Sequence, residues 1–269
     1  MDLLKRDLAP ITAAAWQQID AEAKRVLAAY LTGRQLVDLD GPHGWQHAAV
    51  NTGHLSLKSN GDLGVPWGVR HVLPLIEIRA PIVLRLMELD NAARGAVVDL
   101  APVAAAAEKM ARAEDRAIFV GSKAAGIDGI IGSSGHATMA LPANYAQYPA
   151  AVAEAVEVLR AATIEGPYAL ALAPDTYAGV SAAADCGQPL IGRLEVILGG
   201  KVVRAPEVDG GVVVSVRGGD FCLSVGQDFS IGYVSHDREK VELYLTESFT
   251  FRVIERAAAV YLKPERRKK

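Results

Sequence analysis

The segment Gly132-Ser133-Ser134-Gly135-His136 sets two hydroxyls close to an imidazole. These are the residue types of a hydrolase that activates a serine with a histidine base. Such a nucleophile sits on a sharp strand-to-helix turn, with its base brought beside it in space, and neighbours in sequence do not meet that need. The segment therefore reads as a polar loop, and the rival reading is a hydrolase built on Ser133, Ser134 and His136. The six histidines, His43, His47, His54, His71, His136 and His236, form no HxH or HExxH pair, so no metal site is expected. Cys186 stands between Asp185 and Gly187, with no base or cation beside it to lower its pKa. Gly218-Gly219-Asp220-Phe221 reads as a glycine-rich turn between two strands, and no Walker loop or dinucleotide fingerprint is present. Glu247 falls in phase with the apolar face of a strand, where a paired structural carboxylate is the expectation.

These residues need elements to position them. Trp16, Ile19, Ala23, Val26, Leu27 and Tyr30 recur at three- and four-residue spacing and predict a helix over 13–32, with Thr12 as N-cap and Gly33 at the C′ position. Residues 34–100 read as extended. Within them Asn60-Gly61 signals a turn, and Ile76, Ile78, Ala80, Ile82, Leu84 and Leu86 share one strand face opposite Glu77, Arg79, Val83 and Arg85. Pro81 makes that run either an edge strand or a break between two strands. A second long helix is expected over 100–120, with Asp99 as cap, Pro102 in its first turn and Gly121 at its end. Shorter elements follow: a helix over 150–162, a strand over 168–172, a helix over 175–184, a loop over 185–188, a strand over 212–216 and a long strand over 241–254. The mixture is neither a strict βαβ alternation nor all-β, and predicts an α+β fold. Residues 50–75 offer few apolar positions to bury and read as an arm reaching away from its own core.

The chain has 269 residues, 51% hydrophobic and 22% charged, enough for one large core or two modest ones. A net charge of −3 argues against a nucleic-acid partner. The terminal KPERRKK, Lys263 to Lys269, reads as a solvated tail. Two cysteines suit a reducing compartment. No run approaches the ~18 apolar residues of a membrane span, and charged residues from Lys5 to Asp7 interrupt any leader-like stretch. A cytoplasmic protein without a membrane partner is expected.

Several segments carry a resemblance. LLKRDLAPITAAAWQQIDAEA, GRQLVDLDGPHGW, LPLIEIRAPIVLRLMELDNAARG, AEDRAIFVG, IEGPYAL, RGGDF, GQDFSIGY, SHD and LYLTESFTF occur in that order from Leu3 to Phe251. Together they resemble the encapsulins, the linocin-type family of bacterial nanocompartment shell proteins.

The resemblance implies the major-capsid fold of tailed bacteriophages and a shell subunit that is not an enzyme. Its segments would be an N-terminal helix and arm over 1–49, an extended loop over 50–75, a peripheral domain with a spine helix over 76–129, an axial domain over 130–220, and a return to the peripheral domain with a C-terminal tail over 221–269. It implies a closed icosahedral homo-oligomer of ~60 copies. Its implied cargo is a ferritin-like protein or a dye-decolorizing peroxidase, serving iron storage or oxidative-stress defence. Arg34, Asp38 and Ile231 match positions that would hold the cargo's C-terminal peptide, although Arg34 and Asp38 could instead pair with each other. Asp185, Cys186, Gly187 and Gln188 match the fivefold pore, where either side chains or backbone would line the opening. No cofactor is expected: some members stack a flavin on a tryptophan where this chain has Met87. A phage capsid protein is the remaining alternative.

Overall fold

A computed structural model describes residues 3–58, 64–185 and 187–265. In chain order its elements are α1 (Ala13–Tyr30), β1 (Asp38–Asp40), β2 (Ala49–Lys58), β3 (Trp67–Pro74), β4 (Ile76–Arg85), α2 (Leu86–Ala93), α3 (Ala101–Phe119), β5 (Gly121–Ser122), β6 (Ile127–Asp128), α4 (Ile130–Ser133), β7 (Met139–Leu141), α5 (Tyr148–Ala161), β8 (Tyr168–Leu172), α6 (Pro174–Ala182), β9 (Ala184–Asp185), β10 (Gln188–Pro189), α7 (Leu190–Leu198), β11 (Val202–Arg204), β12 (Gly211–Ser215), β13 (Phe221–Val225), β14 (Ser230–His236), β15 (Lys240–Val253) and β16 (Ala259–Pro264).

Helix α1 starts where the sequence places it. Thr12 Oγ1 accepts from the Ala15 N–H at 3.3 Å, satisfying one of the orphan donors of the first turn. Its apolar stripe, with Ile19, Ala23, Val26 and Leu27 buried, faces α3 and β14. Small residues on both helices, Ala15 and Ala23 against Ala106, Ala107 and Ala111, let α1 and α3 pack closely. The helix ends at Tyr30, however, and Gly33 is not its left-handed cap: it opens a 3-10 turn over Gly33–Gln35. A side chain there would meet Ile118 Cδ1 at 2.5 Å, so glycine is required for close approach to α3.

Two sheets organise the rest. The first runs β1-β13-β15-β14, with β4 on the far side of β15. In β4, Ala80, Ile82 and Leu84 turn inward and Glu77, Arg79, Val83 and Arg85 face out, as the alternation predicts. Pro81, opposite Tyr244, is tolerated because β4 is an edge strand. The extended reading of 34–100 fails at α2: Leu89 and Ala92 are buried three residues apart, a helical spacing that starts at Leu86, the residue that also completes the alternation of β4. Helix α3 covers this sheet and has Pro102 in its first turn, while Asp99 accepts from the Ala101 N–H at 3.0 Å.

The second sheet runs β11-β8-β12-β16-β7, packed against α5 and α7. All five residues of β8 are buried, which explains its unbroken apolar run. Helix α7, absent from the sequence reading, buries Leu190, Leu194 and Leu198 at four-residue spacing. The last strand, β16, lies between β12 and β7 in this sheet, so the segment after 220 contributes to both sheets. Two buried clusters result: one joins the second sheet, α5 and α7 to β13 and the end of β15, and the other lies between α1, α3, β4 and the first half of β15.

In the arm over 50–75, β2 and β3 form an antiparallel ladder and, among the described residues, pair only with each other. Leu55, Leu57, Val69 and Val72 stand exposed along it, Leu57 by 78%. Asn60-Gly61, the four residues after Glu265 and Cys186 lie outside the described residues.

Candidate functional site

Beyond α1, the 3-10 turn aims Arg34 into a buried acidic cluster. Its Nε lies 3.0 and 2.9 Å from the two carboxylate oxygens of Glu114 on α3, and its Nη2 lies 2.7 Å from Glu114 Oε2. The same Nη2 reaches Asp228 Oδ1 at 2.9 Å and Glu247 Oε1 at 2.6 Å. Burial pulls the guanidinium pKa down, but the hydrogen bonds and charges of Glu114, Asp228 and Glu247 outweigh it and hold the pKa above the ordinary range. Glu247 is fully buried; burial first, then repulsion by Glu114, raises its carboxyl well above the usual carboxylate range. Its Oε2 has no partner among the described residues. Glu247 is thus the paired structural carboxylate that its place in β15 suggests.

Asp115, beside Glu114, accepts from the Thr32 N–H at 3.0 Å and the Gly33 N–H at 2.8 Å, tying the end of α1 to α3. Burial pushes its pKa up to about 7 against those two hydrogen bonds.

The cluster forms one end of a groove. Arg34 lies 4.9 Å above the Phe229 ring. Phe229, just before β14, and Ile231 within it face Ala23, Leu27 and Ala28 of α1 and Leu31 just after it, around a cavity of about 480 Å³. Asp20, Lys24 and Asp228 give the rim its charge. The N-terminal segment closes the far wall. Leu4 O accepts from the Tyr233 N–H at 2.8 Å, Leu3 O from Tyr244 Oη at 3.2 Å, and Arg6 pairs with Asp20 at 2.7 Å while lying 3.9 Å over Trp16. An apolar trough with a few charged groups at its edge suits a short extended peptide with alternating apolar side chains.

The expected peptide-binding residues are placed unequally. Ile231, 3% exposed, lines the groove wall. Arg34 sits at the groove's end with its Nε and Nη2 donors taken by Glu114, Asp228 and Glu247, and among the described residues it forms no ion pair with Asp38. Asp38, on β1, accepts from the Gly219 N–H at 2.6 Å and fixes the turn before β13. The sequence reading missed Phe229, Leu31, Asp20, Lys24 and Arg6. The three- and four-residue stripe of α1 continues through Leu27 to Leu31 and could have signalled the first of these faces; nothing in the spacing signals Phe229.

In the expected loop over 185–188, β9 and β10 run antiparallel, with Asp185 opposite Gln188 in the ladder. Gly187 adopts φ +81°, which favours glycine, and both Gly187 and Gln188 are exposed. The hydrolase arrangement does not form. Ser134 Oγ donates to Ala259 O at 2.7 Å, and His136 Nε2 donates to Ala257 O at 2.8 Å, so that ring nitrogen is not a base toward either serine. Both side chains tether the loop to β16 and the turn before it. Met87, 69% exposed on α2, offers a thioether at the surface. Among the described residues no group of three or more His, Cys, Asp or Glu side chains is placed to hold a metal, and no helix is long and apolar enough to cross a membrane.

Comparison with known proteins gives a consistent picture. Residues 1–250 match the sequence model of the Linocin_M18 family, described as an encapsulating protein for peroxidase. The chain is 43% identical over 263 residues to a type 1 encapsulin shell protein of Mycolicibacterium paratuberculosis, covering 97% of this chain and 99% of that one. It is 43% identical over 271 residues to the corresponding protein of Rhodospirillum rubrum, covering 98% and 97%. Among solved structures, a virus-like particle from Pyrococcus furiosus superposes with a TM-score of 0.70 at 15% identity, covering 92% of this chain and 99% of that one. The capsid of the Myoviridae phage XM1 superposes at 0.58 and 14% identity, covering 87% and 92%. The fold is that of phage major capsid proteins.

Proposed function

The chain belongs to the type 1 encapsulin shell proteins, structural subunits of a self-assembling compartment that are not enzymes, and from that premise we propose that it builds a closed icosahedral shell of ~60 copies and docks its cargo enzyme in the groove between α1 and β14. The observation that carries the docking reading is the groove itself, an open apolar trough of about 480 Å³ with charged rims, walled by the residues that continue α1's stripe. A cargo's C-terminal peptide would lay apolar side chains against Leu27, Leu31, Phe229 and Ile231. Arg34 acts there as a positioning residue: it holds Asp228 and Phe229 in place from below, through its Nε and Nη2 contacts with Glu114, Asp228 and Glu247. Asp38 acts at a distance, through the Gly219 turn.

Assembly is supported by the hairpin β2–β3, whose exposed leucines and valines find no cover in their own subunit. A neighbouring copy supplies that cover, and closed symmetry stops further growth. The cargo is a dye-decolorizing peroxidase or a ferritin-like protein, so the compartment serves oxidative-stress defence or iron storage. The family's description as encapsulating a peroxidase supports the first. Small solutes enter through the fivefold opening, where five copies of the segment 185–188 meet and the negative charge of Asp185 favours cations.

Co-expression of the chain with a candidate cargo, followed by size separation and mass analysis of the particles, tests the reading. Expected are closed particles retaining cargo that depends on its C-terminal peptide. Elution as a monomer or dimer would overturn the shell, and equal retention of a cargo lacking that peptide would overturn the groove. A phage capsid subunit remains the second reading, favoured by the fold alone; genes for a portal and terminase beside this one would establish it, and a cargo gene would exclude it.

A further inference from the structure

A second cavity, of about 320 Å³, lies at the base of the hairpin, between β2, β6, α4 and the end of β15. Its polar lining is unusual in what it leaves unspent. Arg252 donates through Nη1 to Asn51 O at 3.2 Å, but its Nε is buried without any partner among the described residues. A buried charged donor left unpaired is costly, and in native proteins such a group finds a partner in protein, ordered water or a ligand. Arg256 lines the same cavity with its guanidinium free of any ion pair among the described residues, as does Ser133, whose hydroxyl makes no hydrogen bond there. His54 and Thr52 complete that side from β2. Ser133 lines this cavity, whereas Ser134 and His136 are held by β16 and by the turn before it.

We propose that this cavity is a phosphate site. Two guanidinium groups and a hydroxyl present donors from separate elements, the arrangement that recognises a tetrahedral oxyanion. Asp128 also lines the cavity and makes no ion pair with either arginine among the described residues. A carboxylate can only accept, so it suits an anion that still carries a proton: the hydroxyl of monohydrogen phosphate donates to Asp128 while its other oxygens accept from Arg252, Arg256 and Ser133. Sulfate, fully ionised at neutral pH, has no proton to give and would meet Asp128 with like charge. Binding here fixes the hairpin's base to the end of β15, because Thr52 and His54 belong to the hairpin while Arg252 does not. The site is separate from the cargo groove and does not rest on it.

Equilibrium dialysis of the purified assembled protein against radiolabelled inorganic phosphate, near neutral pH and at low ionic strength, tests the site. Saturable binding of one phosphate per subunit is expected. Losing one charge-assisted hydrogen-bonding group, in Arg252→Gln, should weaken it by about tenfold or more. Arg256→Gln, on an exposed turn where folding is not at stake, should weaken it in the same direction, and equimolar sulfate should displace phosphate poorly. Absence of saturable binding to the assembled protein would overturn the proposal, and that includes the case in which a carboxylate of a second copy already fills the cavity. Equal affinity in wild type and both arginine variants would overturn it too, and ready displacement by sulfate would overturn the assignment to phosphate.

Discussion

Arg34 Nη2 lies 2.6 Å from Glu247 Oε1, although 213 residues separate them. That contact joins the turn after α1 to the middle of β15, and with Glu114 it fastens both to helix α3. Arg34→Ala would leave two fully buried carboxylates without their cation, a loss of about 3–5 kcal/mol. Glu247→Gln should cost less, because burial already favours the protonated, uncharged form of that carboxyl. Denaturant midpoints of the dissociated subunit check the order. A smaller loss in Arg34→Ala than in Glu247→Gln would show that the cluster is not organised around the arginine.

The acid beside this cluster gives a pH dependence with a definite sign. Asp115 has an ordinary pKa of 3.8 and is pushed up to about 7 in the fold. Between those values the unfolded chain has released its proton and the folded chain retains it. The folded state therefore binds more protons, and the Asp115 contribution to stability falls as pH rises across that window. Asp115→Asn should flatten that part of the curve. Unfolding free energy measured from about pH 4 to pH 7, on wild type and variant, tests it; parallel curves would remove Asp115 from the pH response.

Ala28 is exposed on α1 and lines the groove without entering the core. Ala28→Trp should fill the trough and abolish most cargo retention while particle size stays unchanged. Ile231→Ala, by contrast, removes a buried side chain and should cost about 2–5 kcal/mol of subunit stability as well as docking. Cargo content per particle and thermal unfolding separate the two effects. Full loading of the Ala28→Trp shell would place cargo elsewhere.

Leu57 is 78% exposed on a hairpin whose strands, among the described residues, pair only with each other. Leu57→Asp should leave the subunit's secondary structure and unfolding intact but stop closed particles from forming. Native size measurement and circular dichroism together read this. Normal particles with Leu57→Asp would show that the hairpin's apolar side chains do not seal contacts between copies.

If the turn between β9 and β10 lines a pore, Asp185→Asn should slow the entry of small cations into loaded shells several-fold, as expected when a ring of charge is removed from a narrow opening. The rate of cargo-dependent metal uptake measures it, and an unchanged rate would direct attention to other symmetry contacts.

Much of this was legible in the sequence because it depends on local spacing. The stripe of α1, the alternation of β4 and the apolar run of β8 each state which face of an element is apolar, and the ordered motifs from Leu3 to Phe251 carried the family resemblance. Even there, adjacent signals interfered: Leu86 completed a strand pattern and concealed α2. What spacing does not encode is which faces meet. The partners of Arg34 lie 80, 194 and 213 residues away. The groove needs α1 and β14 at a fixed separation, and the unpaired Nε of Arg252 becomes visible only once β15 ends against the hairpin's base. Periodicity is set by the geometry of one element, whereas ion pairs and cavities are set by the packing of several, and only the folded chain brings those together.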